Sequence, residues 1–222
     1  MTERDPALDW LVRDLRSHLR KKPKRLQLSD AARYAFNLYE TNTAPLPSAD
    51  MACKAGCGSC CCSQVGAEMA EAFAILRHLQ DTLSVEDFEA LMGRVAALAR
   101  EVGTLDPGAR WELQKPCVFL DPQSQSCTIY AVRPIACRGY NSLDLNACNL
   151  STQNLDHNQP IPADGERMVR AHQLRQALAE VTGKLMGRDQ TVEHLELHLA
   201  LVSAEQAGTE LAWLTACKRR KT

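Results

Sequence analysis

Apolar positions recur at helical spacing over most of the chain. Leu8, Leu11, Leu15 and Leu19 fall three or four residues apart, and that period predicts an amphipathic helix over Ala7–Leu19. Lys21-Lys22-Pro23-Lys24-Arg25 ends it, because proline lacks an amide donor and restricts the residue before it. Ser29 or Asp30 is placed to cap a second helix carrying Ala31, Tyr34, Ala35, Leu38 and Tyr39. Thr43–Ser48, with two prolines, reads as an extended connector. Ala67–Leu83 is rich in Ala, Leu and Glu without an internal proline or glycine, so a helix is expected there. Ser84-Val-Glu-Asp87 resembles a capping box that opens a helix ending near Gly103, and the two helices should form an α-hairpin. Helices resume over Asp164–Thr182, with Gly183 as C-cap, and over Thr191–Ala207. A short one, Glu210–Cys217, precedes Lys218-Arg-Arg-Lys221.

Between Thr104 and Asn158 this periodicity fails. Cys117-Val-Phe-Leu120 and Cys127-Thr-Ile-Tyr130 are short β-type runs around the turn-rich Asp121–Ser126, which suggests a small hairpin. About fifty residues with little secondary structure sit poorly in a compact domain unless something ties them down. The expected architecture is mainly α: a helical domain with a loop-rich, metal-stapled cysteine centre and a possible short β-hairpin. One domain should span 1–222, with N-terminal helices at 1–46, the cysteine core at 47–150 and C-terminal helices at 151–222.

Composition narrows the function classes. Hydrophobic residues make up 45% and charged residues 24%, as in ordinary globular proteins, while aromatics are only 5%, so the core must be Leu, Ala and Val. A formal net charge of −1 gives no general pull toward nucleic acid or anionic membrane. No apolar run approaches the length needed to span a bilayer. The basic runs Lys21–Arg25 and Lys218–Lys221 lack interleaved aromatics and read as solvated segments, not nucleic-acid contacts. Met1–Trp10 is charged and lacks the apolar stretch of a signal peptide, so the expected compartment is cytoplasmic, where thiols stay reduced.

That address decides how the ten cysteines are read. Clustered cysteines in a reducing compartment are metal ligands or catalytic thiols before they are disulfides. Cys57-x2-Cys60 is the common ligand pair of zinc and iron–sulfur sites, and Cys53 lies four residues before Cys57, on the same face if the segment is helical. Gly56 and Gly58 let the backbone turn tightly there. Adjacent Cys60 and Cys61 do not readily share one ion, so one of them should face a second site or a second iron. Cys117, Cys127, Cys137 and Cys148 follow at nearly even spacing, about one per loop. With Cys53, Cys57, Cys60 and Cys61 they make eight candidate ligands. Eight suffice for two four-thiolate sites; seven leave one closed site and one three-cysteine site with an open position. Soft thiolates select zinc, an iron–sulfur cluster (4Fe–4S included) or copper(I) over magnesium and calcium. Lys54, Arg110, Lys115, Arg133 and Arg138 are candidates to offset the thiolate charge, with Arg133 and Arg138, which bracket Cys137, ranked first. Cys62 is balanced between spare thiol and ligand, and Cys217 reads as a packing or surface residue. His194 and His198 lie four apart on the expected helix without the HExxH order and are read as helix-surface histidines. His157, in a loop, is a weaker candidate to complete an open site.

Cys53-Lys-Ala-Gly-Cys-Gly-Ser-Cys-Cys61, Pro116-Cys-Val-Phe-Leu-Asp121, Cys127-Thr-Ile-Tyr130 and Arg133-Pro-Ile-Ala-Cys-Arg138 together resemble the YkgJ-like cysteine-cluster family, the CxxCxxCC zinc- or iron-chelating domain. The resemblance covers roughly residues 50 to 150. It implies that Cys53, Cys57, Cys60, Cys61, Cys117, Cys127 and Cys137 are metal ligands, with Cys148 as an extension. Cys53 stands one residue farther from Cys57 than the family pattern, and Cys62 adds a third consecutive cysteine. Flagellin lysine N-methylases carry a similar cluster, which implies an iron–sulfur enzyme of the protein-lysine methyltransferase or redox kind as one alternative. A zinc-dependent nucleic-acid or protein binding module is the other.

Overall fold

The first helix begins where Asp5 and Pro6 allow it. The Asp5 carboxylate accepts the Ala7 amide at 2.9 Å, and proline at the first helical position gives up a donor that would have no partner anyway. In the computed structural model, which describes residues 5–21, 23, 27–48, 50–54, 56–187 and 194–219, ten α-helices are present. They are α1 (Pro6–Leu19), α2 (Gln27–Thr43), α3 (Met69–Thr82), α4 (Val85–Val102), α5 (Pro107–Glu112), α6 (Ile135–Gly139), α7 (Leu145–Asn154), α8 (Gly165–Leu185), α9 (Leu197–Ala207) and α10 (Glu210–Arg219). The one sheet among the described residues has two short antiparallel strands, β1 (Gly66–Ala67) and β2 (Leu195–Glu196). The mainly α class stands. The expected hairpin is reduced to one antiparallel bridge, Leu120 with Cys127, supported by the Thr128 amide on the Phe119 carbonyl at 2.8 Å.

Buried leucines and alanines of α1, α2, α3, α8 and α9 make the core, with Leu15, Leu28, Ile75, Leu174 and Leu201 fully enclosed. α2 lies against α3 and α8, α1 against α8, and α4 chiefly against α9. α3 and α4 therefore touch over only a short stretch, and α9 fills the angle of the expected α-hairpin.

Several boundaries move, each for a physical reason. α2 starts at Gln27, ahead of both Ser29 and Asp30. Its Leu28 amide donates to Glu210 Oε2 at 2.8 Å, so α10 caps this end of the helix from the far end of the chain. Burial pushes the Glu210 carboxyl above the usual carboxylate range. α4 opens as expected, with Ser84 Oγ accepting the Asp87 amide at 3.1 Å. α8 runs past Gly183 to Leu185, because the buried stripe of Ala177, Leu178 and Val181 continues to Met186. The positive φ of +73° falls on Gly187 instead. α9 begins at Leu197, since Leu195 and Glu196 pair as a strand with Gly66 and Ala67. Thr191–Glu193 of the expected helix lie outside the described residues, as do Lys22, Lys24, Arg25, Arg220 and Lys221 of the two basic runs. No helix among the described residues is long and apolar enough to cross a membrane.

The centre holds more helix than its periodicity suggests. α5 and α7 are short, but each is capped by an aspartate: Asp106 accepts the Gly108 and Ala109 amides, and Asp144 those of Asn146 and Ala147. α6 is fixed from below by Glu71. That fully buried carboxylate accepts the Glu68 amide and the Ile135 amide, both at 2.8 Å, so one side chain closes the start of α3 and the start of α6. Glu71→Gln keeps the shape but turns an amide NH2 toward one of those donors. It should cost about 1–3 kcal/mol in denaturant unfolding; an unchanged midpoint would show that the bond to α6 does not hold it. From above, Gly139 rests directly on Ala171 of α8, in space a Cβ would need. Gly139→Ala should lower stability by about 1–3 kcal/mol through overpacking, read as a drop in Tm.

Candidate metal centre

Two stretches of chain meet to build the centre. Ala52 donates to the Ser142 carbonyl at 2.9 Å, and Cys117 donates to the Cys61 carbonyl at 2.9 Å. These backbone bonds set the upstream cysteines beside the downstream ones. Gly56, at φ +82°, turns the chain between Cys53 and Cys57. At Gly58 a Cβ would meet Leu120 at 2.9 Å and Gln125 Oε1 at 2.8 Å, so glycine lets this loop close onto the 121–126 turn without moving those side chains. Ser59–Cys62 is a single 3-10 turn.

The thiols sort into two neighbourhoods. In the deeper one Cys60, Cys117, Cys127 and Cys137 lie within electrostatic reach of one another. Burial pushes the Cys117 thiol up to about 11 and raises those of Cys127 and Cys137. Cys60 is raised first by sharing a hydrogen bond with the Cys61 thiol, then by burial. In the shallower one Cys57 and Cys148 both act on Cys53, with Tyr140 alongside and Cys60 in reach. Cys53 is raised by burial and partly relieved by the Ser142 amide, 3.2 Å from its sulfur. Among the described residues no three Cys, His, Asp or Glu side chains already enclose an ion. Chelation has to draw these thiols together.

The donor set suits a thiophilic metal. The Phe119 amide points at the Cys117 sulfur and the Ile129 amide at the Cys127 sulfur, each two residues on. With Ser142 on Cys53, three thiols face backbone N–H donors, which stabilise thiolate and tune a metal–sulfur centre. Cys62 lies apart from this pattern, with its sulfur on the Gln114 carbonyl at 3.5 Å. A cleft of about 460 Å³ opens beside Cys57 and Cys62 and is floored by Gly58, Pro116 and Leu120.

The cations divide differently from the order expected. Arg133 stacks over the Tyr130 ring at 4.1 Å and lowers the thiols of Cys60, Cys127 and Cys137. Arg138 instead donates to the Arg133 and Ala131 carbonyls, pairs with Glu40 and covers Phe36, so it ties α6 to α2. Arg110 stands out. It is fully buried, its Nε and Nη1 have no hydrogen-bond partner, and the charges it relieves are those of Cys62 and Cys117.

One residue at the centre escaped the reading from sequence. His198, expected on a helix surface, is 2% exposed. Its Nε2 lies 3.4 Å from Cys117 Sγ, its Nδ1 lies 2.8 Å from Glu196 Oε1, and Phe119 stacks on its ring. Glu196 also accepts the His198 and Leu199 amides as the N-cap of α9. The signal was Glu196-x-His198 at a helix start, masked by the flanking leucines. His194 does stay half-exposed, ahead of α9, and pairs with Glu68 at 2.6 Å. His157 sits over Gly108 at the start of α5, and Cys217 is buried in the core.

Fold and site together define a helical protein organised around a cysteine cluster fit to chelate metal. Residues 52–159 match the model of the CxxCxxCC family, "Putative zinc- or iron-chelating domain". No curated protein and no solved structure matches the chain.

Proposed function

We propose that the chain holds zinc or iron in a thiolate centre built on Cys60, Cys117, Cys127 and Cys137, with Cys53, Cys57, Cys61 and Cys148 forming a second, shallower set. Arg110 carries this reading. Burying a guanidinium without an anion costs several kcal/mol, and among the described residues no carboxylate pairs with it. The groups it acts on are the thiols of Cys62 and Cys117. Four thiolates on a divalent ion carry about −2 formally, and a centre of that kind supplies the missing counter-charge. Metal also explains why so many buried thiols, each costly to ionise alone, lie together in one region of the fold.

The cleft beside Cys57 and Cys62 favours one second reading: the shallow set holds an iron–sulfur cluster with an exchangeable position, as an enzyme of the methyl-transfer or redox kind would need. Anaerobic purification, metal analysis and a visible spectrum test both. Stoichiometric zinc or iron is expected, coloured if a cluster is present. A folded, metal-free protein that takes up neither ion would overturn the proposal, and a colourless zinc protein would overturn the second reading.

A further inference from the structure

A metal site made by residues 52–159 alone would leave one arrangement unexplained. His198 lies 81 positions beyond Cys117, past the matched stretch, yet its imidazole is held on three sides at the deep thiols. Glu196 Oε1 lies 2.8 Å from Nδ1, and a proton held there leaves Nε2 its lone pair for a metal. Phe119 stacks on the ring and fixes its plane. Nε2 then faces Cys117 Sγ at 3.4 Å. A carboxylate on the far nitrogen is the usual support for a metal-bound histidine.

The separation itself is informative. In a tetrahedral zinc site with Zn–S near 2.3 Å and Zn–N near 2.0–2.1 Å, sulfur and nitrogen ligands stand about 3.5 Å apart. Cys117 and His198 therefore already span one edge of such a tetrahedron. Cys60, Cys127 and Cys137 lie within electrostatic reach of Cys117, so they are the thiols that would close on that edge when an ion binds. We infer that His198 is a nitrogen ligand of the deep site, which is a mixed sulfur–nitrogen centre closed by Cys117 and two of those three thiols, with Glu196 as the positioning residue. This inference rests on the metal-centre proposal and deepens it.

It makes β2 and α9 part of the centre. β2 pairs with β1, which directly follows the Cys60–Cys62 turn, so the antiparallel register of Gly66 with Glu196 brings the histidine to the thiols.

The test is X-ray absorption at the zinc K edge of the full chain reconstituted with zinc alone. Wild type should show one nitrogen neighbour near 2.0 Å with the outer-shell scattering of an imidazole ring. His198→Gln should lose that scattering while keeping its sulfur count, and zinc affinity should fall about 10–100-fold. Glu196→Gln should keep the ring scattering and lower affinity by a similar or smaller factor. A wild-type spectrum of sulfur neighbours only would overturn the ligand assignment and leave a thiolate centre standing. A chain that binds no zinc would overturn the centre itself. The wild-type spectrum decides the question even if His198→Gln fails to fold.

Discussion

Arg110→Met should move two measurements in opposite directions. In the metal-free chain the substitution removes a fully buried, unpartnered cation and replaces it with an apolar side chain of similar length. Buried charges replaced by apolar groups often leave a protein equally or more stable, so metal-free stability should hold or rise. In the loaded chain the same change removes the charge facing the Cys62 and Cys117 sulfurs. Losing one partner of a buried ion pair costs about 3–5 kcal/mol, so zinc affinity should fall about a hundredfold or more. Competitive titration against a chromophoric chelator gives the affinity, and denaturant unfolding with excess chelator gives the stability. If the substitution destabilises the metal-free chain and leaves affinity unchanged, Arg110 serves packing alone. Arg138→Met makes the control, since Arg138 is engaged by Glu40 and backbone carbonyls; it should weaken the α2–α6 contact with little effect on metal affinity.

Metal removal should have the larger structural effect, confined to one region. The helices α1, α2, α3, α8 and α9 share a core of fully buried leucines and alanines that does not depend on a ligand. Residues 117–132 contribute few core side chains, chiefly Phe119, Ile129 and Val132, and are held by single backbone bonds such as Asp121 on Ser126 and Thr128 on Phe119. Binding free energy at structural zinc sites is of order 10 kcal/mol and appears as folding free energy of the segments it joins. Stripping the metal should therefore speed amide exchange at Cys117, Leu120, Asp121 and Thr128 by at least about a hundredfold, while α8 amides change little. Helical circular dichroism should fall only slightly. Hydrogen exchange followed by mass spectrometry checks it, and equal protection with and without metal would show that the loops hold themselves.

Much of this molecule was legible along the chain because local signals and tertiary packing agree. Leu11, Leu15 and Leu19 point one way in α1 and are buried together. The Ser84 cap and the end of α4 at Gly103 follow from side chains within one turn of the boundary. The misplacements have the opposite character. Glu210 caps α2 from the other end of the chain, and Leu28 carries no trace of that partner. Gly183 reads as a helix end until the stripe on α8 is seen packed beyond it. His198 looks like a surface residue among leucines until Glu196 and Phe119 close around it. The cysteine list came from spacing, but the division into deep and shallow groups depends on how two loops meet, which spacing does not encode. Arg110 was one of five cations near the cluster, and its full enclosure with Nε and Nη1 unpartnered separates it from the others.

The two-residue ladder between Gly66–Ala67 and Leu195–Glu196 has a consequence for synthesis. Every cysteine of the cluster has been polymerised before Glu196 exists, so a chain still growing on the ribosome carries its thiols without the strand and histidine that enclose them. Chains fold from the N-terminal side as they are made, so a centre that takes His198 as a ligand, as inferred above, closes only after its thiols have stood open to solvent. Metal capture and oxidation compete in that interval, and the speed of elongation through residues 150–196 sets how long the contest lasts.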